Sequence, residues 1–232
     1  MWPEGTAMFR IKICGITNVE DALASVQAGA DAIGLNFFPG SPRCVTFDRA
    51  AEIIAALPAY VVRVGVIVNA ATDEIERLHD QLPLDLIQLH GDEPPTTLAE
   101  LSPRRILRAF RCSSENVAAA LDYLDRCREL GSPPAAILVD AFQPTQFGGT
   151  GQTVDTAVVV QIREHSPHIP LVLAGGLTPE NVAAAVAANR PDAVDTASGV
   201  ETAPGKKDAV RIAAFVAAAK TAFAGLPVTK PV

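Results

Sequence analysis

The chain has 232 residues, is 49% hydrophobic and carries a formal net charge of −7 at pH 7. That size suits one large α/β domain or two small ones, and the apolar content excludes a disordered chain. The acidity, with no run of Lys or Arg, argues against nucleic acid as a partner, because neutralising phosphates takes clustered cations.

In chain order, Met1 to Ala7 lack the basic and apolar regions of a secretory signal, and residues 1–9 are expected to be a loose extension. The domain is expected to span residues 10–224 and to end in a short tail, 225–232. Short β-branched runs then alternate with longer Ala/Leu/Glu runs. Strands are expected near Ile11–Cys14, Ala32–Asn36, Val61–Val68, Leu86–His90, Ile106–Arg111, Ala136–Asp140, Leu171–Ala174 and Ala193–Thr196. Helices are expected at Val19–Ala28, Asp48–Ala56, Thr72–Leu82, Pro95–Leu101, Glu115–Leu130, Val154–Glu164, Pro179–Ala188 and Asp208–Ala224. Thr17 and Thr178 stand where helix caps are expected, the second followed by Pro179 at the first helical position.

Strand–helix alternation implies a parallel sheet, and apolar strands such as Ile137-Leu138-Val139 imply cover on both faces. About eight such units in this length fit a single (β/α)8 TIM barrel. The alternative is a doubly wound open sheet, but no Gly-x-Gly-x-x-Gly follows the first strand. The Ala-rich stretch from Arg211 to Leu226 is interrupted by Arg211 and Lys220, so it reads as an amphipathic helix and not a membrane span. Cysteines 14, 44, 112 and 127 show no Cys-x-x-Cys spacing and no zinc pattern, so no metal is expected. Cys127 lies on a helix's apolar stripe, and reduced thiols in a cytosol are the simplest reading. No large apolar surface pattern stands out, so a monomer is expected.

Chemistry is expected at the carboxyl ends of the strands. In Lys12-Ile13-Cys14-Gly15 the alternation of a strand sends Lys12 and Cys14 to one side, and Ile11 and Ile13 to the other. A cation beside a thiol favours the reactive thiolate, while a lone buried cysteine also serves as a small hydrophobe. Asp140 ends an apolar strand. Such a carboxyl suits proton donation if partly buried, or equally caps the next turn. Arg43, stiffened by Pro42, either clamps a carboxylate or is an ordinary surface residue. Gly175-Gly176 and Ser198-Gly199 follow strands seven and eight, where barrels of this kind hold phosphate on backbone N–H groups; the alternative is turn glycines with no ligand. The glycine-rich run Phe147 to Gln152 is a candidate closing loop. His90 reads as a structural histidine or a substrate contact, and His165 and His168 as surface residues. Lys12 as a Schiff-base lysine, or a sugar-phosphate-binding barrel without catalysis, are competing readings.

Together, Lys12-Ile13-Cys14-Gly15, Gly34-Leu35-Asn36-Phe37, Ser41-Pro42-Arg43, Gln88-Leu89-His90-Gly91, Leu138-Val139-Asp140, Gly148-Gly149-Thr150-Gly151, Ala174-Gly175-Gly176 and Ser198-Gly199-Val200-Glu201 resemble the phosphoribosylanthranilate isomerase family. The resemblance runs from about Arg10 to Lys220. It implies a cofactor-free Amadori rearrangement of a phosphorylated sugar–anthranilate substrate in tryptophan biosynthesis. It assigns Asp140 as general acid, Cys14 as general base, Arg43 to the anthranilate carboxylate, and Gly175, Gly176, Ser198 and Gly199 to the phosphate. The chain departs from the family at Val154-Asp155-Thr156, where Phe-Asp-Trp is frequent, and at Ala197-Ser198-Gly199, where Ser-Ser-Gly is usual.

Overall fold

Eight parallel strands close on themselves in sequence order: β1 (Ile11–Cys14), β2 (Ala32–Asn36), β3 (Val62–Ile67), β4 (Leu86–Leu89), β5 (Ile106–Cys112), β6 (Ala136–Ala141), β7 (Leu171–Leu173) and β8 (Ala193–Thr196). A computed structural model describes residues 9–141 and 155–226 of the chain. Residues 1–8, the expected loop from Phe147 to Gln152, Val154 and the tail from Pro227 onward lie outside the described residues. The helices between the strands are α1 (Val19–Ala28), α2 (Phe47–Ala56), α3 (Thr72–Gln81), α4 (Pro95–Glu100), α5 (Val117–Glu129), α6 (Thr156–His165), α7 (Val182–Asn189) and α8 (Ala209–Ala224). This is the (β/α)8 barrel expected from the alternation, and the open sheet is ruled out by the closing pair, β1 with β8.

The period of two decides what fills the interior. Ala32, Val64, Leu86, Leu107, Leu138, Val172 and Ala193 point inward and pack together on the barrel axis. Phe9, expected in the loose extension, joins them and is buried, closing the barrel floor. The alternate residues, Ile11, Ile13, Ile33, Leu35, Ile137 and Leu173 among them, face outward into a shell with Ile53, Val158, Val182, Ile212 and Phe215 of the helices. Each fully buried side chain of this size contributes about 1.5–3 kcal/mol. Strand residues thus read as near-continuous apolar runs because both faces are covered.

A repeated device trims the amino ends of the strands. Asp31, just before β2, accepts from the backbone N–H of Ile11 on β1 at 2.7 Å. Asp85, before β4, accepts from Arg63 N–H at 2.8 Å, and Asp192, before β8, from Leu171 N–H at 2.8 Å. Three carboxylates therefore satisfy donors near the strand starts that a parallel neighbour leaves free.

Two caps differ from expectation. Asn18, not Thr17, caps α1, its side-chain oxygen accepting from Asp21 N–H at 2.7 Å. Thr17 Oγ1 is occupied elsewhere, donating to the Gly205 carbonyl at 2.6 Å. The helix expected from Pro179 begins at Val182. Thr178 to Asn181 form a turn in which Asn181 Oδ1 accepts from Thr178 N–H at 2.8 Å and Asn181 Nδ2 donates to the Gly176 carbonyl at 2.9 Å. That second bond ties the turn to the preceding glycine loop, which a straight helix would not reach. An unexpected insertion lies between β8 and α8. It comprises a 3₁₀ turn (Ser198–Val200) and a small antiparallel hairpin of β9 (Glu201–Ala203) and β10 (Lys206–Lys207).

Candidate active site

Cys14 is the last residue of β1, opposite Gly34 of β2, and its side chain is buried on the inner side of the barrel wall. Lys12 points the same way, while Ile11 and Ile13 lie in the outer shell. Lys12 is fully buried, with Nζ 3.0 Å from Asp195 Oδ1 of the adjacent β8, an ion pair outside hydrogen-bond angles. Burial alone would lower the pKa of Lys12. Asp195 and Cys14 more than offset it and hold the ammonium above the ordinary lysine value. A lysine kept protonated is a poor amine nucleophile, which counts against the Schiff-base reading.

The same trio corrects the expectation for the thiol. Burial pushes Cys14 above its ordinary value; Lys12 pulls it down, and the Asp195 carboxylate cancels part of that pull. The cation does favour the thiolate, but it is already matched by a carboxylate. Asp195 was missed in the sequence although it interrupts an apolar strand just as Asp140 does.

The space around the thiol is tight. A Cβ placed on Gly34 would lie 2.7 Å from Cys14 Sγ and 3.1 Å from both Cys14 Cα and Lys12 Cε. Gly34→Ala is expected to displace the thiol without unfolding the barrel. Misplacement on that scale costs about 10²-fold in kcat/KM, read by initial rates alongside an unchanged far-UV circular dichroism spectrum.

Asp140 ends the inward-facing series of β6 (Ala136, Leu138, Asp140), level with Arg111 of β5. Its carboxylate is about a quarter exposed, and Oδ2 lies 3.4 Å from His90 Nε2. The other ring nitrogen of His90 meets Gln88 Nε2 at 3.0 Å. The two ring nitrogens of His90 are thus held between the Gln88 amide and the Asp140 carboxyl. Asp140 therefore touches an imidazole at the barrel mouth.

Gly175 and Gly176 follow β7 with φ of 84° and 63°, conformations that L side chains seldom adopt. Among the described residues neither glycine N–H meets an acceptor, as suits a nest for an anion. The loop after β8 is locked against this one. Thr196 Oγ1 donates to the Leu177 carbonyl at 2.7 Å, and a Cβ on Gly199 would collide with that same carbonyl. Ser198 and Gly199 open the 3₁₀ turn, and the Gly199 carbonyl accepts from Arg211 Nε and Nη2 at 3.1 and 3.0 Å.

Arg43 reaches the site from the β2–α2 loop but is not free. Its Nε and Nη2 donate to the two oxygens of Glu201 at 2.8 and 2.6 Å. Neither Glu201 nor its second partner Lys207 is given a role by the sequence reading, although Glu201 closes the Ser198-Gly199-Val200-Glu201 motif. His165 pairs with Asp125 on the helical surface, and Cys127 is fully buried, as expected of each. Among the described residues no group of three His, Cys, Asp or Glu side chains has the arrangement of a metal site. No described helix is long and apolar enough to cross a membrane.

A closed parallel barrel, apolar at its floor and carrying a thiol, a carboxylate and open glycine N–H groups where the strands end, is a (β/α)8 enzyme scaffold with a polar mouth. The family model for N-(5'-phosphoribosyl)anthranilate (PRA) isomerase matches residues 11–218. The chain belongs to that family, isomerases of tryptophan biosynthesis. It is 45% identical over 213 residues to the N-(5'-phosphoribosyl)anthranilate isomerase of Geobacter sulfurreducens, covering 92% of this chain and 99% of that one. To the Pseudomonas fluorescens protein of that name it is 47% identical over 215 residues, covering 91% and 98%. The crystal structure of phosphoribosyl anthranilate isomerase from Thermotoga maritima matches with a TM-score of 0.82 at 40% identity, covering 92% and 99%. A crystal structure of the enzyme in complex with reduced 1-(o-carboxyphenylamino)-1-deoxyribulose 5-phosphate matches with a TM-score of 0.78 at 39% identity, covering 92% and 99%.

Proposed function

We propose that the protein converts N-(5-phosphoribosyl)anthranilate to 1-(2-carboxyphenylamino)-1-deoxyribulose 5-phosphate without a cofactor, Asp140 acting as general acid and Cys14 as general base. The Asp140 carboxyl, in its acid form, gives its proton to the ribose ring oxygen. The anthranilate nitrogen pushes its lone pair to C1 as the C1–O bond breaks, leaving an open-chain iminium. The Cys14 thiolate then takes the proton from C2, and the C2–H electrons neutralise the iminium to give an enolamine. Transfer of the C2 hydroxyl proton to C1 completes the ketone, and proton exchange with solvent returns Asp140 to its acid form and Cys14 to its thiolate. Arg43 holds the anthranilate carboxylate. The N–H groups of Gly175, Gly176, Ser198 and Gly199 hold the phosphate, so that remote contacts orient the reacting carbons.

What supports this reading is the inward placement of Cys14 and Asp140 at the carboxyl ends of β1 and β6, three strands apart around one barrel mouth. The solved relative that binds a reduced form of the proposed product supports the substrate class. The non-catalytic reading predicts binding without turnover. The deciding measurement is the loss of substrate anthranilate fluorescence on adding the purified protein. Turnover is expected; tight binding of the reduced product with no fluorescence change would sink the reading.

A further inference from the structure

The catalytic proposal leaves unexplained why a fully buried lysine and a nearly buried glutamate sit in the hairpin between β8 and α8. Lys207 Nζ has three partners: the Cys14 carbonyl at 2.6 Å, the Ala197 carbonyl at 2.9 Å and Glu201 Oε1 at 2.8 Å. Those three bonds use all the donors an ammonium has. They span three segments. Cys14 ends β1 and carries the proposed base. Ala197 immediately precedes Ser198-Gly199 of the proposed phosphate loop. Glu201 is the partner of Arg43. The hairpin is itself anchored, because Lys207 N–H donates to Asp21 at 3.0 Å and Thr17 Oγ1 to the Gly205 carbonyl at 2.6 Å.

Glu201 is equally committed. Its carboxylate accepts from Arg43 Nε and Nη2, from Lys207 Nζ and from Gly205 N–H at 3.2 Å. Burial works to raise its pKa, but Arg43 and Lys207 hold it below the ordinary glutamate value, so it stays ionised. The pairing also orients the guanidinium. Glu201 takes the Nε side, and Nη1 donates to no group among the described residues. A planar guanidinium held on one side presents its other side to a second carboxylate at no further orientational cost.

We infer that Lys207 and Glu201 are positioning residues for this reaction: Lys207 sets the proposed base and the phosphate loop in register, and Glu201 presents the outer edge of Arg43 to the substrate carboxylate. The inference rests on the isomerase reading above, with neither residue touching the reacting atoms. Lys207 acts through backbone carbonyls, so its loss reaches both binding and chemistry. Glu201 reaches the substrate through Arg43, and the Gln variant keeps a side-chain oxygen for Lys207 Nζ, so its loss is read chiefly in binding.

The test is steady-state kinetics of Glu201→Gln, Lys207→Met, Arg43→Ala and the Arg43→Ala/Glu201→Gln double variant, each checked for folding by thermal melt. Glu201→Gln is expected to raise KM about tenfold or more while kcat stays within about threefold. In the Arg43→Ala background the same change is expected to move KM less than about twofold, the non-additivity that marks one residue acting through another. Lys207→Met is expected to lower kcat and raise KM together, each by about tenfold or more. Glu201→Gln with unchanged KM, or an equal effect in both backgrounds, overturns the inference while wild-type turnover leaves the isomerase reading standing. An inert wild type overturns that reading and this one with it. If Lys207→Met does not fold, the Arg43 and Glu201 cycle decides alone.

Discussion

Asp140→Asn is expected to lower kcat by about 10²–10⁴-fold and to leave KM within a fewfold of wild type, and Cys14→Ser to do the same. The amide of Asn keeps the size of the carboxyl and its place beside His90, 3.4 Å away, but cannot release a proton to the ring oxygen. The serine hydroxyl keeps the shape of the thiol, yet its alkoxide is far less accessible than a thiolate, even one that burial disfavours. Binding is expected to survive because the proposed carboxylate and phosphate contacts come from other residues. The assay is the fall in anthranilate fluorescence under single-turnover and steady-state conditions. If both variants retain more than about a tenth of the wild-type rate, the acid–base assignment is wrong, since a positioned acid or base normally supplies far more.

Arg108→Met is expected to destabilise the fold by about 3–5 kcal/mol, because it strands a buried carboxylate. Arg108 and Glu93 are both buried and paired at 2.9 Å. The Arg108 guanidinium also donates to the carbonyls of Leu89 and Gly91 at 3.0 Å each. It stacks on the rings of Phe110 and Tyr123, with centroid distances of 5.2 and 4.8 Å. Glu93 in turn accepts from the backbone N–H groups of Asn69 at 2.8 Å and Gly91 at 3.0 Å. The pair therefore ties the loops after β3 and β4 to β5. In a domain of this size each kcal/mol moves Tm by about 2–4 °C, so a fall of about 6–20 °C is expected by calorimetry. Replacing both residues, Glu93→Gln with Arg108→Met, is expected to restore part of that loss, since no charge is left unpaired. A single-variant Tm within about 2 °C of wild type would show that water reaches the carboxylate and that the pair contributes little.

These two expectations differ in how far they were legible in the chain. Cys14 and Asp140 announce themselves because each puts a reactive side chain at the end of an apolar run. Glu93 and Arg108 carry no such mark. Asn69, Gly91, Glu93 and Arg108 are scattered over some forty positions, and only the closure of adjacent strands brings them together. Thr17 shows the converse. Its position favoured a cap, and a carbonyl 188 residues away claimed its hydroxyl instead.

By itself the sequence determined the barrel, the register of inward and outward side chains, and which strand ends carry a thiol, a carboxyl or paired glycines. These follow from local periodicity, where a period of two and a period of 3.6 are written directly in the order of residues. Only the tertiary structure decided how the charges at the mouth are shared: that Lys12 belongs to Asp195, that Arg43 belongs to Glu201, and that Lys207 holds three strand-end segments at once. Ion pairs in a barrel join residues whose separation along the chain is unrelated to their separation in space, so no local pattern encodes them.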